Sequence, residues 1–188
     1  MNPNHHIHIE TPRLLIRALL TEDADGMFIM DSDPEVHRYV GKTPLTKLEQ
    51  TKAVIEMVRQ QYIDNGIGRW AMIEKTTNEF VGWTGFKLMK EKINGHQNFI
   101  DFGYRLSRKF WGNGYATEAG KAVMAYGLKH LHFKEIYGMT DLDNVASRRV
   151  LEKCGFQFIH IFPYDGDSTW REALQDTTWY QYQTEKEK

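Results

Sequence analysis

The stretch Arg108-Lys109-Phe110-Trp111-Gly112-Asn113-Gly114-Tyr115-Ala116-Thr117-Glu118-Ala119 changes character within a few residues. A strand ends before it, two glycines permit a tight loop whose backbone can approach a ligand, and a helix opens after Gly114. The free N–H groups of that helix's first turn point into the loop, an arrangement that binds phosphate through oriented amides and the positive end of the helix. The same pattern also serves as a sharp strand-to-helix turn that binds nothing, because Gly-x-Gly alone is weak. Two glycine-rich alternatives fail on the residues themselves. A P-loop needs Gly-Lys-Ser/Thr, and Gly114 is followed by Tyr115-Ala116. A dinucleotide fold wants its glycine turn after an early strand, with a third glycine and an acidic residue on the next strand, and none of these is supplied.

Working outward, Ala116, Ala119, Gly120, Val123, Met124, Gly127, Leu128 and Leu131 hold one helical face, and Ile136 to Thr140 reads as a strand. A second helix is expected from about Asn144 to Lys153, capped by Asp143 or Asn144 and closed by Gly155. Phe156 to Phe162 and Thr177 to Tyr182 read as strands. Upstream, Trp70 to Glu74, Phe80 to Leu88 and Asn98 to Leu106 are rich in β-branched and aromatic residues separated by turns, which predicts an antiparallel meander. Before it, Leu14 to Ile16 form a short strand, Thr21 offers a helix N-cap, and Asp33-Pro34 looks like a second helix start. Thr46 with Glu49 fits a capping box ahead of Val54, Met57, Val58, Gln61 and Tyr62 at helical spacing. The order β-α-α-β-β-β-α-β-α-β-β predicts an α/β (α+β) domain, with a mixed, mostly antiparallel central sheet and helices on both faces.

The chain has 188 residues, enough for one core, and we expect one domain over residues 1–188 with 1–8 and 184–188 flexible. Lys+Arg (24) and Asp+Glu (25) nearly balance, so no long-range field recruits nucleic acid or an anionic membrane. The single cysteine, Cys154, excludes an intrachain disulfide and a multi-cysteine metal cluster; its near-helical spacing from Ala146 and Val150 makes it a core residue. His5, His6 and His8 read as a frayed terminus and not as a metal site, so no metal is expected. Neither a signal segment nor a bilayer-spanning run is visible, and a cytoplasmic location is the default.

Ile100 to Leu106, Trp111 to Ala119 and Asn144 to Phe156 together resemble the GNAT superfamily, specifically its ribosomal-protein-alanine N-acetyltransferase branch; Thr11 to Arg17 and Asp31 to Val36 match that branch's opening. The resemblance implies a GNAT-like acyl-CoA N-acyltransferase fold and transfer of acetyl from acetyl-CoA, the cosubstrate, to a primary amine by direct attack in a ternary complex. The strand carrying Phe102, Gly103, Tyr104, Arg105 and Leu106 would splay from Ile136 to Thr140 and pair with the pantetheine arm. A bulge at Gly103 would make such a gap. Trp111, Gly112, Asn113, Gly114, Tyr115, Ala116 and Thr117 would hold the pyrophosphate. Lys109 departs from the Gln or Arg usual three residues before the first glycine. The resemblance further implies that Asn144 holds the pantetheine near the sulfur and that Ser147 protonates the departing thiolate, with Tyr104 as a second candidate acid.

Strand alternation places Phe99, Asp101, Gly103 and Arg105 on one face and Ile100, Phe102, Tyr104 and Leu106 on the other. Asp101 is disfavoured mid-strand, which points either to a base for the acceptor amine or to a salt bridge with Arg105 or a neighbouring strand. Glu118 favours the helix dipole and reads as structural. Arg148, Arg149 and Lys153 fit a 3′-phosphate contact or a solvated face equally. Trp170, Trp179 and Tyr180 read as strand and core. The acceptor groove is expected around Asp33 to Val40, Trp83 to Met89 and Phe162 to Glu172, where Asp31, Asp33, Asp165 and Asp167 offer negative charge or mere solvation. The acceptor would be a protein N-terminal amine, as the branch implies, or a small amine such as a polyamine, amino sugar or antibiotic. A CoA-binding sensor without turnover is the third reading, and the chain is expected to act as a monomer or homodimer.

Overall fold

Ile7 is buried and His8 opens strand β1 (His8–Glu10), so these two residues belong to the fold although flexibility is expected of them from the sequence. Thr184 at the other end donates its N–H to the Lys134 carbonyl at 3.0 Å. The computed structural model describes residues 7–41, 43–166 and 176–184; His5, His6, Asp167, Trp170 and Glu172 lie outside these.

Strand β2 (Leu14–Ala18) pairs antiparallel with β1 and buries Leu14 and Ile16. A 3-10 turn, Thr21–Asp23, then leads into helix α1 (Ala24–Asp31). Thr21 lies inside that turn and caps nothing. The closing carboxylate is Asp23, which accepts the Leu20 N–H at 2.8 Å and binds the Arg17 guanidinium at 2.7 and 2.8 Å. The helix expected from Asp33-Pro34 is instead a series of turns, in which Val36 and His37 donate to the carbonyls of Asp33 and Pro34. Pro-initiated residues suit a turn as well as a helix, and these close in the tighter i to i+3 pattern. Helix α2 (Leu48–Asn65) is capped one residue later than expected: Gln50 Oε1 accepts from Thr46 and Lys47, each at 2.9 Å, in place of a Thr46–Glu49 box. Its buried stripe is Thr51, Ile55, Val58 and Tyr62, whereas Met57 faces solvent.

Strands β3 (Arg69–Glu74), β4 (Phe80–Met89) and β5 (Phe99–Leu106) form the meander. Helix α3 (Tyr115–His130), strand β6 (Glu135–Asp141), helix α4 (Val145–Lys153), and strands β7 (Gln157–Pro163) and β8 (Asp176–Gln183) follow. The sheet order is β1-β2-β3-β4-β5-β6-β8-β7, antiparallel throughout except between β5 and β6. Helix α3 lies on one face because its glycines allow it. A Cβ at Gly127 would stand 2.5 Å from the Phe86 ring and one at Gly120 2.6 Å from Cys154 Sγ. Close approach of this kind lets Phe86, Phe102, Val123 and Met124 bury together, each large side chain contributing about 1.5–3 kcal/mol. On the opposite face α1 crosses the start of β4, where Gly26 packs on Phe80. The expected bulge at Gly103 does not form: β4 and β5 stay in register from Gly82↔Leu106 to Met89↔Phe99. An irregularity sits instead between β3 and β4, where Met72 pairs Gly82 but Ile73 pairs Phe80, leaving Val81 as the extra residue, and a second lies in β7 between Phe158 and His160.

Candidate active site

Strands β5 and β6 share one registered pair, Asp101↔Tyr137, and beyond it Phe102 to Leu106 have no partner in β6. Below that pair an aromatic cluster holds the two halves of the sheet together, with Phe99 5.4 Å and Trp179 4.8 Å from the Tyr137 ring. Above it the sheet is split. The unpaired edge of β5 leaves backbone groups for another partner, because buried ladder groups require one.

At the top of the split lies the glycine loop. Gly112 and Gly114 have φ of 77° and 81°, the left-handed region in which only glycine rests without strain. No atom lies within 4 Å of where a Gly112 Cβ would stand, so conformation and not space selects glycine there. Trp111 donates its indole N–H to the Leu106 carbonyl at 2.9 Å and leaves its ring half exposed beside the loop. Asn113 turns back to donate to the Trp111 carbonyl at 3.2 Å. No side chain caps α3, so the N–H groups of Tyr115, Ala116 and Thr117 open toward the loop.

Glu118 does more than favour the dipole. It accepts from Thr11 Oγ1 at 2.6 Å, the Arg13 N–H at 3.0 Å and Arg13 Nε at 2.7 Å. Burial pushes its carboxyl up, but these bonds and the Arg13 charge outweigh burial and hold it below its ordinary value. Arg13 in turn donates to the Asn113 carbonyl at 2.9 Å and lies 4.1 Å over the Tyr115 ring, tying the loop to the start of β2. Sequence reasoning missed this clasp; Thr11 and Arg13 were visible only as part of a matching opening.

On the α3 and α4 side of the split, Asn144 caps α4 by accepting the Ser147 N–H on Oδ1 at 3.1 Å. The Ser147 hydroxyl neighbours the Tyr104 phenol and draws its pKa down, but burial outweighs it and pushes the phenol up to about 12. The two candidate acids therefore stand side by side. Phe102 is buried against Phe86 and Phe156, which leaves only its backbone to meet a ligand. Cys154 is core, its thiol raised to about 11 by burial. Arg148 is held by the Tyr180 hydroxyl at 3.3 Å and the Leu142 carbonyl at 3.4 Å.

On the α1 side of β5 the alternation places Asp101, Gly103 and Arg105 as expected, with different partners. Asp101 is 7% exposed and pairs with Arg69 of β3, not with Arg105. Burial pushes its carboxyl up, against the pull of Arg69 and Lys87. The Arg69 guanidinium lies where a Gly103 Cβ would stand, 2.8 Å away, which explains the glycine. The Arg105 side chain points away from Tyr104 and binds Asp31 at 2.7 Å. Asp31 and Asp33 are thus not solvated: Asp31 is buried, and Asp33 pairs with Arg108 at 2.9 Å. His37 lies 3.8 Å from Asp31 and is held below its ordinary value by burial first and by Arg105 second. The Arg69 and Arg105 guanidiniums lie over the Trp83 ring, 5.5 and 5.3 Å from its centroid. Among the described residues no group of three His, Cys, Asp or Glu side chains is placed to hold a metal, and no helix is long and apolar enough to cross a membrane.

Comparison with known proteins bears on this geometry. The profile of the family described as acetyltransferase (GNAT) domain matches residues 13–157. The N-acetyltransferase p20 of Bacillus licheniformis is 33% identical over 147 residues, 78% of this chain and 80% of that protein. A ribosomal-protein-S5-alanine acetyltransferase from Vibrio fischeri has the same fold, with a TM-score of 0.74, 15% identity, and coverage of 97% of this chain and 100% of the other. So does a spermidine N-acetyltransferase from Vibrio cholerae solved with CoA and spermine, with a TM-score of 0.70, 15% identity and coverage of 92% and 96%.

Proposed function

The chain belongs to the GNAT acetyltransferase family and is an N-acetyltransferase, and on that premise we propose that it acetylates the N-terminal α-amine of a protein or peptide by direct attack in a ternary complex with acetyl-CoA. The observation that carries the reading is the split after Asp101↔Tyr137, bounded above by the glycine loop, on one face by Tyr104–Ser147 and on the other by Asp101. The residues fit the cosubstrate: the Gly112-Asn113-Gly114 amides and the uncapped start of α3 suit a pyrophosphate, and the free edge of Phe102 to Leu106 suits an amide-bearing arm. When bound, acetyl-CoA supplies an activated acyl thioester. Leu106 contributes its strand edge but not its carbonyl, which Trp111 occupies.

The roles follow from magnitudes. An α-amine with a pKa near 8 is about one-tenth neutral at pH 7, whereas a lysine near 10.4 is below about a thousandth. Asp101, buried and therefore more basic than a solvated carboxylate, receives the proton of the α-amine directly or through water. Tyr104 and Ser147 donate hydrogen bonds to the sulfur as charge develops. A thiol has a pKa of about 8.5, far below the phenol's, so the hydroxyls stabilise the leaving sulfur and keep their own protons. Asn144 sets the position of Ser147 through its cap. The decisive assay is thiol release from acetyl-CoA against free-N-terminus peptides, their N-blocked counterparts and polyamines. Turnover confined to free N-termini is expected; turnover with polyamines alone would overturn the acceptor assignment.

A further inference from the structure

Lys87 stands directly across β4 from Asp101, on the same face as Trp83 and Arg105. Among the described residues, the three carboxylates named on this side each have an arginine: Asp101 has Arg69, Asp31 has Arg105 and Asp33 has Arg108. Arg69 gives Nη2 to the Asp101 carboxylate and Nη1 to the Gly85 and Asp101 carbonyls. Two cations are less engaged. Lys87 is half-buried and makes no hydrogen bond or ion pair with a described residue, and Arg105 spends only Nη1 on Asp31, leaving Nε and Nη2 without a partner among the described residues. The patch of Arg69, Lys87, Arg105, Asp101 and Asp31 therefore carries three cations against two carboxylates. Register separates Lys87 and Arg105 by four residues along the ladder, roughly 13 Å at their Cα atoms, a span that two long side chains close over.

A second positive charge on the acceptor would be repelled here, and a negative one would complete the balance. We propose that Lys87 and Arg105 form a subsite for a carboxylate carried by the acceptor beside its amine. The subsite rests on the acceptor reading above and narrows it. Planar N–H donors of an arginine held on its face by Trp83 suit a carboxylate's two oxygens, and Lys87 adds a point charge from the other side. The carboxylate comes from one of two sources, an acidic residue next to the N-terminus of a peptide or the α-carboxylate of a free amino acid.

The test is calorimetric binding to the CoA-loaded protein with two acid and amide pairs, Ala-Glu-Ala-amide against Ala-Gln-Ala-amide and alanine against alaninamide, with spermidine as a third arm. Thiol release from acetyl-CoA is followed in parallel. At low salt we expect at least one acid to bind about tenfold or more tightly than its amide, the responsive pair identifying the source, and the ratio to shrink as salt rises. Lys87→Gln should bring the ratio toward one. Arg105→Lys, which keeps a cation beside buried Asp31 and so protects folding, should lower it severalfold. A wild-type ratio near one in both pairs, a ratio untouched by Lys87→Gln, or spermidine binding more tightly than the neutral peptide would overturn the subsite. A clear acid preference without any thiol release would keep the subsite and remove the acetyl-transfer reading; thiol release without preference would do the reverse.

Discussion

Tyr104 of β5 and Ser147 of α4 neighbour each other, so neither acts alone and neither substitution is expected to be silent. Ser147→Ala leaves the phenol to reach the sulfur unaided, and Tyr104→Phe removes the donor that burial keeps protonated. Each should lower kcat about 10- to 100-fold with CoA affinity within about threefold, because the bonds they supply form only as charge develops on sulfur. Equal loss of kcat and CoA affinity would assign them to packing. Asp101 makes a different prediction. Burial holds its folded pKa above the usual carboxylate value, so its proton-accepting form is lost earlier on acidification than for a solvated carboxylate. Above pH 9 the amine is already largely neutral and needs no base. Asp101→Asn should therefore reduce kcat/KM more at pH 6.5 than at pH 9.5, and a loss of equal size at both would mean that Asp101 only anchors Arg69.

The junction of β5, loop and α3 is where most of the site could be read from sequence, because its cues are local. Gly112 and Gly114 follow a strand and precede an unbroken apolar helical face, and Asn144 with Gly155 brackets α4 in the same way. What could not be read is every interaction made across the sheet. Arg69 and Asp101 are 32 residues apart, Arg105 and Asp31 74, and Arg13 and Glu118 105, with no periodicity to link them. The 34–41 segment misleads for the opposite reason, since an Asp-Pro pair starts turns and helices alike. The clasp supports a prediction with a defined sign. The folded pKa of Glu118 lies below its unfolded value of about 4.5, so its stabilisation is complete above that pH and is lost as pH falls through the folded value. Glu118→Gln should cost about 1–3 kcal/mol at pH 7 in urea unfolding, and the difference from wild type should vanish toward pH 3. A difference that persists there would mean that the charge is not what holds Arg13 and the loop.

At the scale of the molecule the sheet is two units, β1 to β5 and β6-β8-β7, joined by one registered pair, the aromatic cluster below it and the helices behind. The splay is legible in the sequence only through family resemblance, since alternation describes a strand but not where its neighbour departs. Such a division should make the unpaired edge of β5 one of the less stable parts of the core, and a ligand that bridges it should act on the whole fold. A compound bound only to the folded state at a hundred times its Kd adds about 2.7 kcal/mol. For a chain of 188 residues that corresponds to a rise in Tm of roughly 5–11 °C. CoA should produce that rise in wild type and slow amide exchange at Phe102 to Leu106 together with Gly112 to Thr117. Gly114→Val, which forces a β-branched residue to φ of 81°, should fold with a Tm lower by a few degrees and lose most of the response to CoA. If the variant kept the full shift, the loop would not hold the pyrophosphate. If wild type gained stability while exchange at Phe102 to Leu106 stayed as fast as before, CoA would be binding away from the split, and the two units of the sheet would owe their union to the aromatic cluster and the helices alone.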